Sequence, residues 1–184
     1  MAATESETAL FIKPNIVTLV PERREEITTE GGLDVLADLD HIRQVTSRLL
    51  QAGIRVSLFI DPDPEQIRAS SGCGAGEIEL HTGPYAHARG NADLKAGDGN
   101  RLADGTRCGL DLGLVVNAGH GLNFHNVCPV AAIPGISELN IGHSIVSQSV
   151  FDGLEKATRV MAGQIADASS HPQSYRFDLD RCGC

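Results

Sequence analysis

The chain is short of positive charge, of long apolar runs and of paired cysteines, and each shortage removes a class of function. Its 15 lysines and arginines are outnumbered by 24 aspartates and glutamates, a formal net charge of −9 over 184 residues. Such a surface repels a nucleic-acid polyanion, so no nucleic-acid partner is expected and any phosphate site has to be local. No stretch approaches the roughly 18 consecutive apolar residues of a membrane-spanning helix, and residues 1–10 lack the basic and apolar regions of a secretory signal. The sequence therefore predicts a cytoplasmic protein with no membrane partner. Cys73, Cys108, Cys128, Cys182 and Cys184 are odd in number and scattered, which does not suit a disulfide framework, and they are expected to be reduced. Cys182 and Cys184 flank a single glycine, but two thiols without a second pair are a weak metal cue, and no metal site is expected there.

What the chain does have is enough apolar content, 41%, for one sizeable core, at a length too short for two independent domains. Runs rich in β-branched residues at 16–20, 54–60, 78–80, 112–116 and 139–141 alternate with helical patterns, the signature of βαβ units and a parallel sheet. These runs do not alternate in polarity, as expected of strands buried on both faces. Val35, Leu36, Leu39, Ile42, Val45, Leu49 and Leu50 recur at helical spacing before Gly53, which is placed to end that helix. Ile145, Val146, Val150, Leu154, Met161 and Ile165 predict a second amphipathic helix, its stripe serving as core. Between them, Gly90, Gly97, Gly99, Gly105, Gly109 and Gly113 interrupt any helix, at about 1 kcal/mol per interior glycine, and a loop or frayed helix is predicted over 90–113. One domain is expected over 1–169, with a poorly ordered tail over 170–184.

Barrel enzymes place chemistry just past the C-terminal ends of their strands, and here those positions are polar and glycine-rich. They include Asp61, Glu79, His81, Thr82 and Gly83, then Asn117-Ala118-Gly119-His120-Gly121 and Asn140-Ile141-Gly142-His143. The last two share an Asn-x-Gly-His pattern. Glycine admits a ligand close to the backbone, and N–H groups at a helix start favour an anion, so a phosphorylated small molecule is the natural ligand; tight turns alone would also use these glycines. His120, inside a glycine triplet that packs little, is a candidate general acid or base, against the plainer reading of a structural histidine. Glu79 sits in an apolar run where an ionised carboxyl is costly unless it faces a polar site or a partner. It is a candidate to stabilise charge or orient a substrate, and a structural ion pair is the alternative. Residues 26–34, with Thr28, suit a loop that closes over a ligand or one that only caps a helix.

Five ordered segments, LVPERREEITTEGGLDV (19–35), AGIRVSLFID (52–61), IELHTGPYA (78–86), LVVNAGHGLNFHNV (114–127) and ISELNIGHSIVSQSVFDGL (136–154), resemble the pyridoxine 5'-phosphate synthase family. The resemblance implies a TIM-type (β/α)8 barrel, here incomplete and covering about strands 4 to 8. Residues 1–4 resemble family sequence lying after the third strand, so the three N-terminal strand-helix units, with their proton-transfer groups, are expected to be missing. The implied reaction condenses 1-deoxy-D-xylulose 5-phosphate with 3-amino-2-oxopropyl phosphate in vitamin B6 biosynthesis. Its imine uses a substrate amine, so neither a cofactor nor an enzyme lysine is expected. By motif, His120 matches the family's proton donor, Glu79 its transition-state carboxylate, Thr28 a contact to the deoxyxylulose phosphate, and Gly121, Gly142 and His143 its phosphate contacts. A homo-oligomer is expected, an octamer in the family. Two other readings stand beside this one. The first is a non-catalytic remnant that binds phosphorylated ligands or partner chains. The second is a metal-dependent barrel hydrolase using His81, His120 and His143, although the two-histidine helix motif of such enzymes is absent.

Overall fold

A computed structural model describes residues 3–21, 31–88 and 90–175. After helix α1 (Ala3–Ile12), five strands alternate with helices: β1 (Ile16–Leu19), α2 (Leu39–Gln51), β2 (Arg55–Ile60), α3 (Pro64–Gly72), β3 (Glu77–His81), α4 (Gly83–His87), α5 (Ala92–Asp111), β4 (Val115–Gly119), α6 (Val127–Ala131) and β5 (Ile136–Asn140). Helices α7 (His143–Asp152) and α8 (Leu154–Ser170) follow, with a 3₁₀ turn at Pro172–Ser174. The strands form one parallel sheet in chain order, β1-β2-β3-β4-β5. Among the described residues β1 and β5 pair on one side only. The α/β class read from the sequence is observed, as a five-stranded parallel sheet consistent with part of a TIM-type barrel.

One face of the sheet presents Val56, Leu58, Ile60, Ile78, Leu80, Val116 and Ala118, all fully buried, and the helices close over it. Helix α2 contributes Ile42, Val45 and Leu49, α3 contributes Ile67, and α5 contributes Leu102 to the same core. Helix α3 is started by Asp63, whose Oδ1 accepts from the Glu65 N–H at 2.7 Å, with Pro64 in its first turn; both features favour initiation.

Four sequence expectations are corrected. Residues 90–113 form neither a loop nor a frayed helix: α5 runs unbroken for 20 residues, started by the Asn91 side chain accepting from the Leu94 N–H at 3.1 Å. Its glycines have a packing purpose. A Cβ on Gly109 would lie 2.7 Å from Val116 Cγ2 and 3.1 Å from Ile78 Cδ1, and one on Gly105 3.2 Å from Pro62; bare Cα positions let the helix sit close on the sheet. The helix at 35–50 starts only at Leu39, because the Val35 N–H donates to Gln66 Oε1 of α3 (2.8 Å) and so anchors a turn. The long helix after His143 is two helices, split at Gly153, whose φ of +80° no α-helix contains. Its stripe is not core throughout, since Val146, Val150 and Leu154 are exposed and Met161 alone of the six is buried. The last two runs are displaced: Leu112 ends α5 and Gly113 (φ +77°) turns into β4, and β5 takes 136–140, leaving Ile141 in a loop.

Two substitutions in α5 separate intrinsic cost from packing. A Cβ on Gly97 meets nothing within 4 Å, so Gly97→Ala is expected to stabilise by about 0.5–1 kcal/mol. Gly109→Ala presses on a stiff, buried valine and is expected to destabilise by about 1–3 kcal/mol. Urea denaturation of the two variants checks the opposite signs.

Candidate active site

Register builds the other face of the sheet. Phe59, Glu79, Asn117 and Glu138 lie level across β2, β3, β4 and β5, and His81 pairs with Gly119, which pairs with Asn140. Side chains two apart share a face, so Glu77, Glu79 and His81 form a polar column on β3 beside Phe59 and Asp61. Glu77 is held by Arg55 Nη1 at 2.7 Å and accepts from Asn117 Nδ2 at 3.3 Å.

Glu79 is 7% exposed. Burial pushes its carboxyl above the ordinary value and Glu138 adds to the rise, while a hydrogen bond with Asn140 and the proximity of His81 oppose it. Reaching Asn140 takes the carboxylate across Gly119, where a Cβ would sit 2.2 Å from Glu79 Oε1. Only glycine fits there.

His81 Nδ1 lies 3.0 Å from Asp61 Oδ1. That hydrogen bond is the largest influence lowering the Asp61 pKa, ahead of the Gly32 N–H bond, with burial opposing both. An ionised Asp61 only accepts, so His81 carries its proton on Nδ1. The far side of the ring rests on Gly83, where a Cβ would meet Nε2 at 2.3 Å. Phe59, His81 and His120 form a three-ring cluster, with centroids 5.2 Å apart for Phe59 and His81, 4.3 Å for Phe59 and His120, and 5.7 Å for the two histidines.

His120 has φ +78° and Gly121 φ +77°. A left-handed non-glycine residue is uncommon and costs of order 1 kcal/mol or more, a kind of strain that gathers at functional positions. Thr82 holds it in place: its N–H donates to Gly119 O at 2.8 Å, and its hydroxyl lies 2.6 Å from Gly119 O and 2.5 Å from His120 O. Asn126 pins the rest of this loop by accepting from the Asn123 N–H (2.7 Å) and donating to Gly121 O (3.2 Å). Ser144 Oγ donates to Leu122 O at 3.0 Å, which joins the loop after β4 to the start of α7. There Gly142 precedes the helix and His143 is its first residue, so the opening N–H groups face away from any intrahelical acceptor.

The comparisons with known proteins bear on this arrangement directly. The model of the pyridoxal phosphate biosynthesis protein PdxJ family matches residues 1–167. The chain belongs to the PdxJ family. A pyridoxine 5'-phosphate synthase of Neisseria meningitidis is 56% identical over 163 residues, 88% of this chain and 67% of that protein. Its counterpart in Photobacterium profundum is 51% identical over 170 residues, 91% of this chain and 70% of its own length. A chain in the crystal structure of the Amycolatopsis orientalis BexX/CysO complex shares the fold, with TM-score 0.63 at 17% identity, over 92% of this chain and 64% of that one. The chain thus spans about two thirds of the length of these PdxJ relatives and less than that of the solved structure.

Of the residues singled out by the PdxJ resemblance, His120, Gly121, Gly142 and His143 lie at the neighbouring C-terminal ends of β4 and β5, and Glu79 lies beneath them on the same face. Thr28, Cys182 and Cys184 fall outside the described residues. Among the described residues no three His, Cys, Asp or Glu side chains are arranged to hold a metal ion, whereas the hydrolase alternative needs His81, His120 and His143 to converge. No helix among them is long and apolar enough to cross a membrane. Sequence reasoning missed the Asp61–His81 pair and the Asn140 contact. Register alone reveals them, because the partners are 20 and 61 residues apart.

The raised Glu79 pKa carries a pH signature. Because the folded-state value lies above the ordinary 4.5, the carboxyl contributes most to stability below pH 4.5, and that contribution is lost as pH rises through the folded value. Glu79→Gln is therefore expected to gain stability relative to wild type as pH rises from 4 to 7, in chemical denaturation at stepped pH. A difference that stays flat with pH would contradict the buried-carboxyl account.

Proposed function

We propose that this face is part of a pyridoxine 5'-phosphate synthase site, acting in vitamin B6 biosynthesis on 1-deoxy-D-xylulose 5-phosphate and 3-amino-2-oxopropyl phosphate. The observation that carries the reading is His120, kept in a left-handed backbone conformation by Thr82 at the end of β4, beside the glycine-led start of α7. In this reading His120 donates a proton to a departing oxygen, and the backbone N–H groups at Gly121, Gly142 and His143 hold a substrate phosphate, as helix starts do. Glu79 stabilises positive charge on the condensing nitrogen. Burial makes its ionised form costly, and a cation arriving beside it relieves that cost. Thr28 enters by resemblance alone, as a contact to the deoxyxylulose phosphate.

The same reading takes β1 to β5 as strands 4 to 8 of a (β/α)8 barrel over 1–169, with 170–184 as a tail, in a cytoplasmic homo-oligomer. What supports it is five parallel strands in chain order, with the polar groups at their C-terminal ends and, among the described residues, β1 and β5 paired on one side only. Unpaired edges invite association. A separately made family segment of three strand-helix units is expected to bind the chain and sharpen its thermal melt. Sedimentation velocity showing no complex would count against the barrel assignment and favour a non-catalytic role.

Turnover tests the site in that assembled form. His120→Asn keeps a side chain that tolerates left-handed backbone, and it is expected to lower kcat by about 10²–10⁴-fold with little change in phosphate affinity. Gly142→Ala is the matching test of binding, because a Cβ there meets nothing within 4 Å, so any loss reports the ligand. Its KM is expected to rise with the fold intact. Unchanged kcat in the first variant and unchanged KM in the second would remove both assignments.

A further inference from the structure

We propose that Asp61 and His81 form a positioning pair that couples the seating of Gly32 and Leu33, which precede α2, to the setting of the His120 imidazole.

Asp61 Oδ1 faces two groups. One is His81 Nδ1 at 3.0 Å and the other is the Gly32 N–H, which donates to it at 3.2 Å. The contact to Gly32 is backbone-close. A Cβ there would lie 2.3 Å from Asp61 N and 2.4 Å from Ile60 C, and the next residue, Leu33, donates its N–H to Phe59 O at 2.7 Å. Gly32 and Leu33 are thus laid against the end of β2, with the Asp61 carboxylate closing the seam.

His81 is the other end of the link. The residue is 4% exposed, its Nδ1 edge is held by Asp61, and its Nε2 edge occupies the space that a Cβ on Gly83 would take. The His120 ring lies against that imidazole, nearly perpendicular at 81°, and tilts onto Phe59. Phe59 is shared as well, since its carbonyl takes the Leu33 N–H and its ring touches both histidines. Displacing Gly32 and Leu33 disturbs Asp61 and Phe59 together, and the disturbance reaches His120 through two rings. Among the described residues, the other charged groups acting on this pair are Arg101, on Asp61, and Glu79, on His81. His81 is a positioning residue here, buried away from a substrate.

The consequence for turnover rests on the proton-donor reading of His120; the coupling itself does not. It is tested on the full 184-residue chain by histidine side-chain ¹H–¹⁵N spectra and amide exchange in wild type, Asp61→Asn, Asp61→Glu and His81→Gln. Asp61→Asn is expected to speed Gly32 amide exchange about tenfold. Ring signals of His120 move in both Asp61→Asn and His81→Gln, and Asp61→Glu returns them toward wild type. His81→Gln leaves the Asp61–Gly32 contact in place, so faster Gly32 exchange in that variant is the signature of coupling rather than of a lost hydrogen bond. Unaltered Gly32 exchange in a folded His81→Gln chain, or unmoved His120 signals in both neutral variants, overturns the proposal. Coupled spectra with no synthase turnover in any assembled sample would refute the activity and leave the coupling standing.

Discussion

The parallel register across β2, β3, β4 and β5 sets Phe59 level with Glu79, Asn117 and Glu138, and the site's geometry depends on it. Strand side chains alternate faces, so a slip of one residue would turn Glu79 and His81 into the apolar layer and bring Ile78 and Leu80 out of it. Two layers therefore guard each other. The helices over Val56, Leu58, Ile60, Ile78, Leu80 and Val116 oppose a one-residue slip because it would turn those side chains out of the core, and the observed register stacks carboxylates and histidines on the opposite face.

Glycine serves this architecture in two different ways. Gly83, Gly109 and Gly119 are needed for what lies beside them, since a Cβ at each would strike His81, Val116 or Glu79 within 2.7 Å. Gly121 is needed also for its φ of +77°, next to a histidine that adopts the same conformation without glycine's freedom. Thr82 resolves that conflict by binding the carbonyls of Gly119 and His120, so β3 stabilises the loop that follows β4. The candidate donor and the candidate carboxylate come from different strands but share one rigid support.

Much of this was legible in one dimension. Alternating β-branched runs and helical stripes announced a parallel α/β fold, and the Asn-x-Gly-His repeats marked the ends of β4 and β5 before any distance was known. The reading failed where local propensity opposed tertiary contact. Six glycines between 90 and 113 argue against a helix by intrinsic cost, yet Gly105 and Gly109 are favourable because close approach to Ile78, Leu80 and Val116 offsets that cost.

What the sequence by itself determined is the fold class, the family, and which residue types stand at the strand ends, because these follow from periodicity and from motifs contiguous in the chain. Tertiary structure alone decided which of those residues meet. Asp61 and His81 are separated by a whole helical crossover, as are Glu79 and Asn140 by two. Only hydrogen-bonded register converts such separations into contacts, because it fixes the relative height of strands that the sequence lists one after another with no common origin.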